Sequence, residues 1–243
     1  MKKARTKKIT FTLLILIVIL TLAGTIYIKT STYAATEEAL QVSQTAEQEK
    51  GYDHYTNGQD NPLGIIFYPG AFVKPQSYSL WARTVADAGY DVYVVHFPIN
   101  LAVMKVNAAE KVMNDHPNQA FVMAGHSLGG VMASRFAAEH QDEVKGMIYL
   151  ASYPDKKGSL TGELPVLSLT GEKDSVLNWD SYEEAKQYLP DTTQYLKIQG
   201  ANHAGFGSYG EQKGDQKATI SNEQQQEIVS QTILSWFEQT VNK

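Results

Sequence analysis

The chain has 243 residues, 43% of them apolar and 19% charged, a composition that excludes collagen-like, low-complexity and wholly disordered proteins and fits one ordinary globular domain. It contains no cysteine, so disulfides, thiolate metal sites and iron–sulfur clusters are excluded and any nucleophile must use oxygen or nitrogen. Six of its 21 basic residues precede the first acid, Glu37; beyond Lys29 fifteen basic residues face 26 acidic ones, a balance that repels phosphate backbones and argues against nucleic acid as a partner.

Five basic residues among the first eight are followed by an uncharged run, 9–28, which as a helix spans about 30 Å and matches the core of a bilayer. The basic end is expected to stay cytoplasmic and the rest of the chain to lie outside. A cleaved leader normally has a shorter apolar run, and the best small-x-small site here is Thr32-Tyr33-Ala34. The length favours an uncleaved single-pass anchor in the cell membrane; the alternative is a secreted protein starting at Ala35. Residues 1–35 are therefore read as anchor or signal peptide, 36–50 as a tether or short surface helix, and 51–243 as the folded domain.

Beyond the tether, strands and helices alternate. Residues 64–68 form a short apolar run ending in Pro69-Gly70, as expected of a strand buried on both faces. Tyr78, Trp81, Ala82, Val85 and Ala86 recur at helical spacing, with Gly89 as a C-terminal stop. Further strands are predicted at 92–95, 120–124, 147–150, 166–169 and 194–198, with helices at 103–113, 130–140, 181–188 and 223–240. This order builds right-handed βαβ units, hence a mainly parallel sheet with helices on both faces and chemistry at the carboxyl ends of the strands.

The loops at those ends carry a nucleophile, an acid and a base. Gly125-His126-Ser127-Leu128-Gly129 follows one predicted strand and opens a helix, the context in which G-x-S-x-G is a nucleophile elbow. Small residues also occur in strand-to-helix turns without catalysis, but both glycines stand where strand and helix converge. The Leu128 N–H at the helix start faces a developing oxyanion. A serine hydroxyl needs a neutral imidazole to take its proton. Of six histidines, His140 ends a helix, His116 precedes Pro117, His54 precedes the core sheet and His126 points away from its neighbour Ser127. Only His203 combines a loop after the last strand with a place downstream of an acid. That acid is Asp174, which follows the 166–169 strand and Gly171; Glu172 and Asp155 compete, and Asp180 reads as a helix cap. The second oxyanion donor is expected in Pro69-Gly70-Ala71-Phe72, with Ala71 N–H first and Phe72 next, although Gly70 also fits an ordinary turn.

These residues together resemble the α/β-hydrolase superfamily, and within it the small bacterial dienelactone-hydrolase-like group. The resemblance rests on Phe67-Tyr68-Pro69-Gly70-Ala71, Asn100-Leu101-Ala102-Val103, Gly125-His126-Ser127-Leu128-Gly129-Gly130, Leu150-Ala151-Ser152-Tyr153-Pro154, and the narrower run Asn202-His203-Ala204-Gly205-Phe206-Gly207-Ser208-Tyr209-Gly210. It implies an α/β-hydrolase fold, a Ser127-Asp174-His203 triad, and oxyanion donors at Leu128 and Ala71. Dienelactone hydrolases use a cysteine nucleophile, which this chain lacks, so their lactone substrate is not carried over.

Fifteen residues separate the strands ending at Leu150 and starting at Val166, too few for a helical cap over the site. Tyr68, Phe72, His96, Asn100, Phe206 and Tyr209 are the expected pocket wall, with core packing the other reading of the aromatics and helix capping that of Asn100. The expected activity is hydrolysis of a carboxylic ester or related acyl bond on a small molecule through an acyl-enzyme, without metal or cofactor. The alternatives are an exported ligand-binding module on the same fold, or peptidase or thioesterase chemistry with the same triad.

Overall fold

The computed structural model describes residues 2–241, with side chains from 13 to 240. It divides into two units, 1–32 and 33–243. The first is one helix, α1 (Lys2–Ser31); its apolar stretch Leu13–Ser31 has a mean hydropathy of 2.2, long and apolar enough to cross a membrane. The basic side chains of residues 2–8 lie outside those described.

The second unit starts earlier than the sequence suggests. Residues 36–50, expected as a tether or short surface helix, contain α2 (Glu37–Ser43), capped by the Thr36 hydroxyl, and the strand β1 (Glu47–Glu49). β1 pairs antiparallel with β2 (Tyr52–Tyr55), which pairs antiparallel with β4 (Asp91–Val95). Neither strand was legible in advance, because β1 is all polar and exposed while β2 mixes Asp53 and His54 with two tyrosines.

The remaining strands are parallel: β3 (Leu63–Tyr68), β4, β5 (Ala120–His126), β6 (Val144–Leu150), β7 (Val166–Gly171) and β8 (Gln194–Ile198), in the order β1-β2-β4-β3-β5-β6-β7-β8. Alternate side chains of each strand enter two cores. Ile65 and Phe67 join Trp81 and Val85 of α3 (Ser79–Asp87) and Ile233 and Trp236 of α7 (Asn222–Trp236). Ile66 and Tyr68 join Val112 of α4 (Ala109–Asp115) and Met132 and Phe136 of α5 (Leu128–Glu139) on the opposite face. The helix expected over 103–113 is reduced to two short 3₁₀ turns, Ala102–Met104 and Val106–Ala108, before α4, and no side chain caps the α4 N-terminus. α6 (Trp179–Ala185) is capped by the Asn178 side chain, not by Asp180, which lies in its first turn. Between β6 and β7 the one helical element is the 3₁₀ turn Lys156–Gly158, so nothing of cap size is inserted there.

Candidate active site

β5 ends at His126 and α5 begins at Leu128, so one residue, Ser127, reverses the chain. Its backbone takes φ 51° and ψ −126°, a left-handed conformation that a non-glycine residue adopts only where its surroundings hold it. The holding contacts are specific. Ser127 N–H donates to Leu150 O at 3.0 Å, and its carbonyl accepts the Ser152 hydroxyl at 2.6 Å. A β-carbon on Gly125 would lie 2.5 Å from Gly130 N, and one on Gly129 would overlap the carbonyl oxygens of Tyr68 and Pro69. Those glycines let strand, helix and the loop after β3 meet. The same closeness puts the Pro69-Gly70-Ala71 turn beside the first turn of α5, where backbone N–H groups have no intrahelical acceptor.

Asp174 stands three residues past the end of β7, and His203 follows β8. Both are buried, at 3% and 1% exposure, and His203 Nδ1 meets Asp174 Oδ2 at 2.8 Å. The other carboxylate oxygen, Oδ1, accepts the N–H groups of Val176 at 2.9 Å and Leu177 at 2.8 Å, so the carboxylate cannot rotate away. The competing acids are engaged elsewhere. Glu172 accepts the Gly200 N–H at 2.9 Å and lies 3.3 Å from Lys173, which together hold its carboxyl below the usual range. Asp155 caps the Lys156–Gly158 turn and pairs with Arg135.

Ser127 and His203 line one cavity of about 240 Å³, walled by Leu128, Val131, Tyr153, Val176, Leu177 and Asn178. Its lining combines the aliphatic Leu128, Val131, Ala151, Val176 and Leu177 and the Tyr153 ring with the polar Ser127, Ser152, Asn178 and His203. Of the two expected oxyanion donors, Leu128 borders this cavity, while Ala71 sits in the adjoining turn, closed by Val73 N–H to Gly70 O at 3.1 Å. The expected wall lies elsewhere. Tyr68 is buried, its hydroxyl donating to Val106 O at 2.6 Å and accepting Ala109 N–H at 2.8 Å. Phe206 and Tyr209 are buried in the α3/α7 core. Phe72 donates its N–H to Asn100 O at 2.8 Å, and both residues have positive φ. His96 places Nε2 3.0 Å from the buried Asp53 carboxylate. None of these six residues lines the cavity, which is built from the ends of β5, β6 and β7, the first turns of α5, and His203 after β8.

Two further residues bear on the site. The Tyr78 hydroxyl accepts the Gly70 N–H and lies 2.9 Å from His126 Nδ1, linking the turn after β3 to the residue beside Ser127. With its single proton, that hydroxyl donates to an Nδ1 left bare. Desolvation, and then the neighbouring His203, push the His126 imidazole well below its usual range, so it is the neutral ring that accepts. Asp215 accepts Ala204 N–H at 2.9 Å through Oδ2 and Ser175 N–H at 3.2 Å through Oδ1, clamping the residue after His203 to the residue after Asp174. Asp215 carries no sequence signal, since it lies in a polar stretch without periodicity. Among the described residues no group of three or more His, Asp or Glu is arranged to hold a metal.

A parallel sheet with a strained serine between β5 and α5, and a buried Asp–His pair opening on the same cavity, defines a hydrolase scaffold, and the chain belongs to the alpha/beta hydrolase family, whose pattern matches residues 64–227. It is similar to the pimeloyl-[acyl-carrier protein] methyl ester esterase of Photorhabdus laumondii, 34% identical over 111 residues, 46% of this chain and 38% of that protein. The chain thus spans well under half of that relative's length. In three dimensions it resembles MGS-MChE2, an alpha/beta hydrolase enzyme from a sediment metagenome of the Mar Chica lagoon, with a TM-score of 0.60 and 15% identity over 80% of this chain and 98% of that one. It also resembles the dienelactone hydrolase of Anabaena variabilis, with a TM-score of 0.58 and 16% identity over 79% and 94%. At such identities these two structures speak for the fold alone.

Proposed function

We propose that the protein is a serine hydrolase that cleaves a carboxylic ester or related acyl bond on a small molecule, held at the outer face of the cell membrane by an uncleaved α1. The observation that carries the reading is the buried 2.8 Å Asp174–His203 pair opening onto the cavity that Ser127 enters from a strained turn. His203 takes the Ser127 proton as the hydroxyl oxygen attacks the acyl carbon; Asp174 fixes the imidazole tautomer and stabilises its cation. The Leu128 and Ala71 N–H groups receive the negative charge on the former carbonyl oxygen. The imidazolium then protonates the leaving alcohol, and water, deprotonated by the same ring, releases the acid from the acyl-enzyme. The esterase activity named for the Photorhabdus relative supports an ester over an amide. A cavity of about 240 Å³ has the volume of roughly eight waters, which suits a short, uncharged acyl group.

The test is a panel of p-nitrophenyl esters together with a fluorophosphonate probe. Unaltered protein is expected to hydrolyse a short-chain ester and to be labelled at Ser127, and Ser127→Ala to lose turnover by about 10⁴-fold or more while remaining folded. Absence of both turnover and labelling points to the ligand-binding module instead.

A further inference from the structure

The folded unit opens with Tyr33, and this residue is fastened to both loops on which the proposed chemistry depends. Its N–H donates to Phe72 O at 2.8 Å and its carbonyl accepts Lys74 N–H at 3.0 Å, a parallel bridge to Val73. On its other side the ring lies 5.4 Å from that of Tyr209, and the phenol oxygen accepts Lys213 N–H at 3.4 Å. Three residues on, Thr36 N–H donates to Ser208 O at 2.8 Å. Tyr209, Lys213 and Ser208 belong to the segment that leaves His203.

The turn that Tyr33 grips is an unfavourable one. Gly70 to Val73 closes with an i to i+3 hydrogen bond, and Phe72, its third residue, has φ 59°. That hand normally requires glycine, because a side chain there crowds the backbone. Phe72 is kept in it from two directions, its N–H by Asn100 O and its C=O by Tyr33 N–H. The peptide immediately before is that of Ala71, the second oxyanion donor. An N–H that must meet a developing charge at hydrogen-bond distance depends on the aim of that turn.

We propose that residues 33–36 form a strap of the active site, in which Tyr33 is a positioning residue that aims the Ala71 N–H. The inference rests on the ester-hydrolase reading above. It has a consequence for processing: a cut after Ala34, the best leader site in the chain, removes Tyr33 and frees the turn. The active protein therefore keeps this segment.

The test uses the full-length chain in detergent micelles. Tyr33→Pro removes the N–H that holds Phe72 O. It is expected to lower kcat for p-nitrophenyl acetate about 10- to 100-fold with KM little changed, and to weaken phenylboronic acid, whose adduct with serine occupies the oxyanion cradle, about tenfold. A merely structural role does not move the inhibitor constant of the folded protein. Should the proline variant fail to fold, Tyr33→Ala, which loses the Tyr209 and Lys213 contacts, is expected to weaken phenylboronic acid severalfold, and Tyr33→Phe to stay near the parent. Parent values of kcat and inhibitor constant in the folded variant overturn the strap, as does a fully active protein whose intact mass places its terminus at Ala35. Failure of the unaltered chain to hydrolyse any ester or to take up the fluorophosphonate instead defeats the ester-hydrolase reading, a result readily told apart from these.

Discussion

The carbonyl oxygen of Tyr68 occupies the space that a β-carbon on Gly129 would need. This contact draws the turn after β3 against the start of α5, the two segments that carry the proposed Ala71 and Leu128 oxyanion amides. Both obstructing atoms, the carbonyl oxygens of Tyr68 and Pro69, are backbone, which yields less readily than a flexible side chain. Gly129→Ala is therefore expected to destabilise the protein by about 1–3 kcal/mol, the usual range for overpacking, and to cut kcat by pushing the two amides apart. Urea unfolding and ester turnover of the same preparation check both; wild-type values in each remove this account of the elbow.

Asp174→Asn tests the tautomer. The amide oxygen of an asparagine can keep the bonds from Val176 and Leu177 N–H, which turns its NH₂ toward His203 Nδ1. A donor there forces Nδ1 to accept and moves the ring proton to Nε2, the nitrogen that should receive the serine proton. The expected loss in kcat is on the order of 10³- to 10⁴-fold with folding retained. A loss of less than tenfold would show that another acid serves the imidazole.

Asp215 is expected to matter although it touches neither Ser127 nor His203. Asp215→Ala leaves the Ala204 and Ser175 N–H groups without their acceptor, an effect of about 1–3 kcal/mol where water cannot replace it. Because both amides adjoin Asp174 and His203, kcat should fall about tenfold while KM changes little. Asp215→Asn, which keeps one acceptor oxygen, should recover part of that loss. Thermal unfolding and steady-state kinetics of the two variants decide; equal kcat in parent and alanine variant rejects the clamp.

The buried neutral His126 makes stability depend on acid. Its folded-state affinity for protons is depressed by desolvation and then by His203, whereas the unfolded chain takes up a proton near pH 6.5. Protons thus favour the unfolded state, so this contribution is complete above about pH 6.5 and is lost as the pH falls, with a limiting slope of about 1.4 kcal/mol per pH unit. His116, depressed by desolvation and by His54, acts in the same direction. Urea unfolding of His126→Gln between pH 7.5 and 5.5 should show a shallower slope than the parent, and an unchanged slope would falsify the assignment.

The strand–loop–helix grammar of the chain was readable because it is local. Hydrophobic runs of strand length, the glycines around Ser127 and the placement of Asp174 and His203 after successive strands all follow from neighbours within a few residues. β1 and β2 were not readable, since their residues lack alternation and are strands only through the partner they find in β4. The expected wall of Tyr68, Phe206 and Tyr209 shows the same limit from the other side. An aromatic residue near a strand end can face a site or the core, and here hydrogen bonds of the tyrosine hydroxyls with Val106, Ala109 and Gln212 and the packing of α3 and α7 settle it.

By itself the sequence determined the order of Ser127, Asp174 and His203, the parallel sheet that carries them and the apolar helix in front. Tertiary structure alone decided that Asp174 rather than Glu172 faces the imidazole, that the cavity opens toward Val176 and Leu177, and that Asp215 and Tyr33 tie the loops together. The reason is physical: backbone propensity and strand burial are written in short windows, whereas the direction of a loop side chain depends on partners more than a hundred residues away, as the reach of Tyr33 to Tyr209 and Lys213 illustrates.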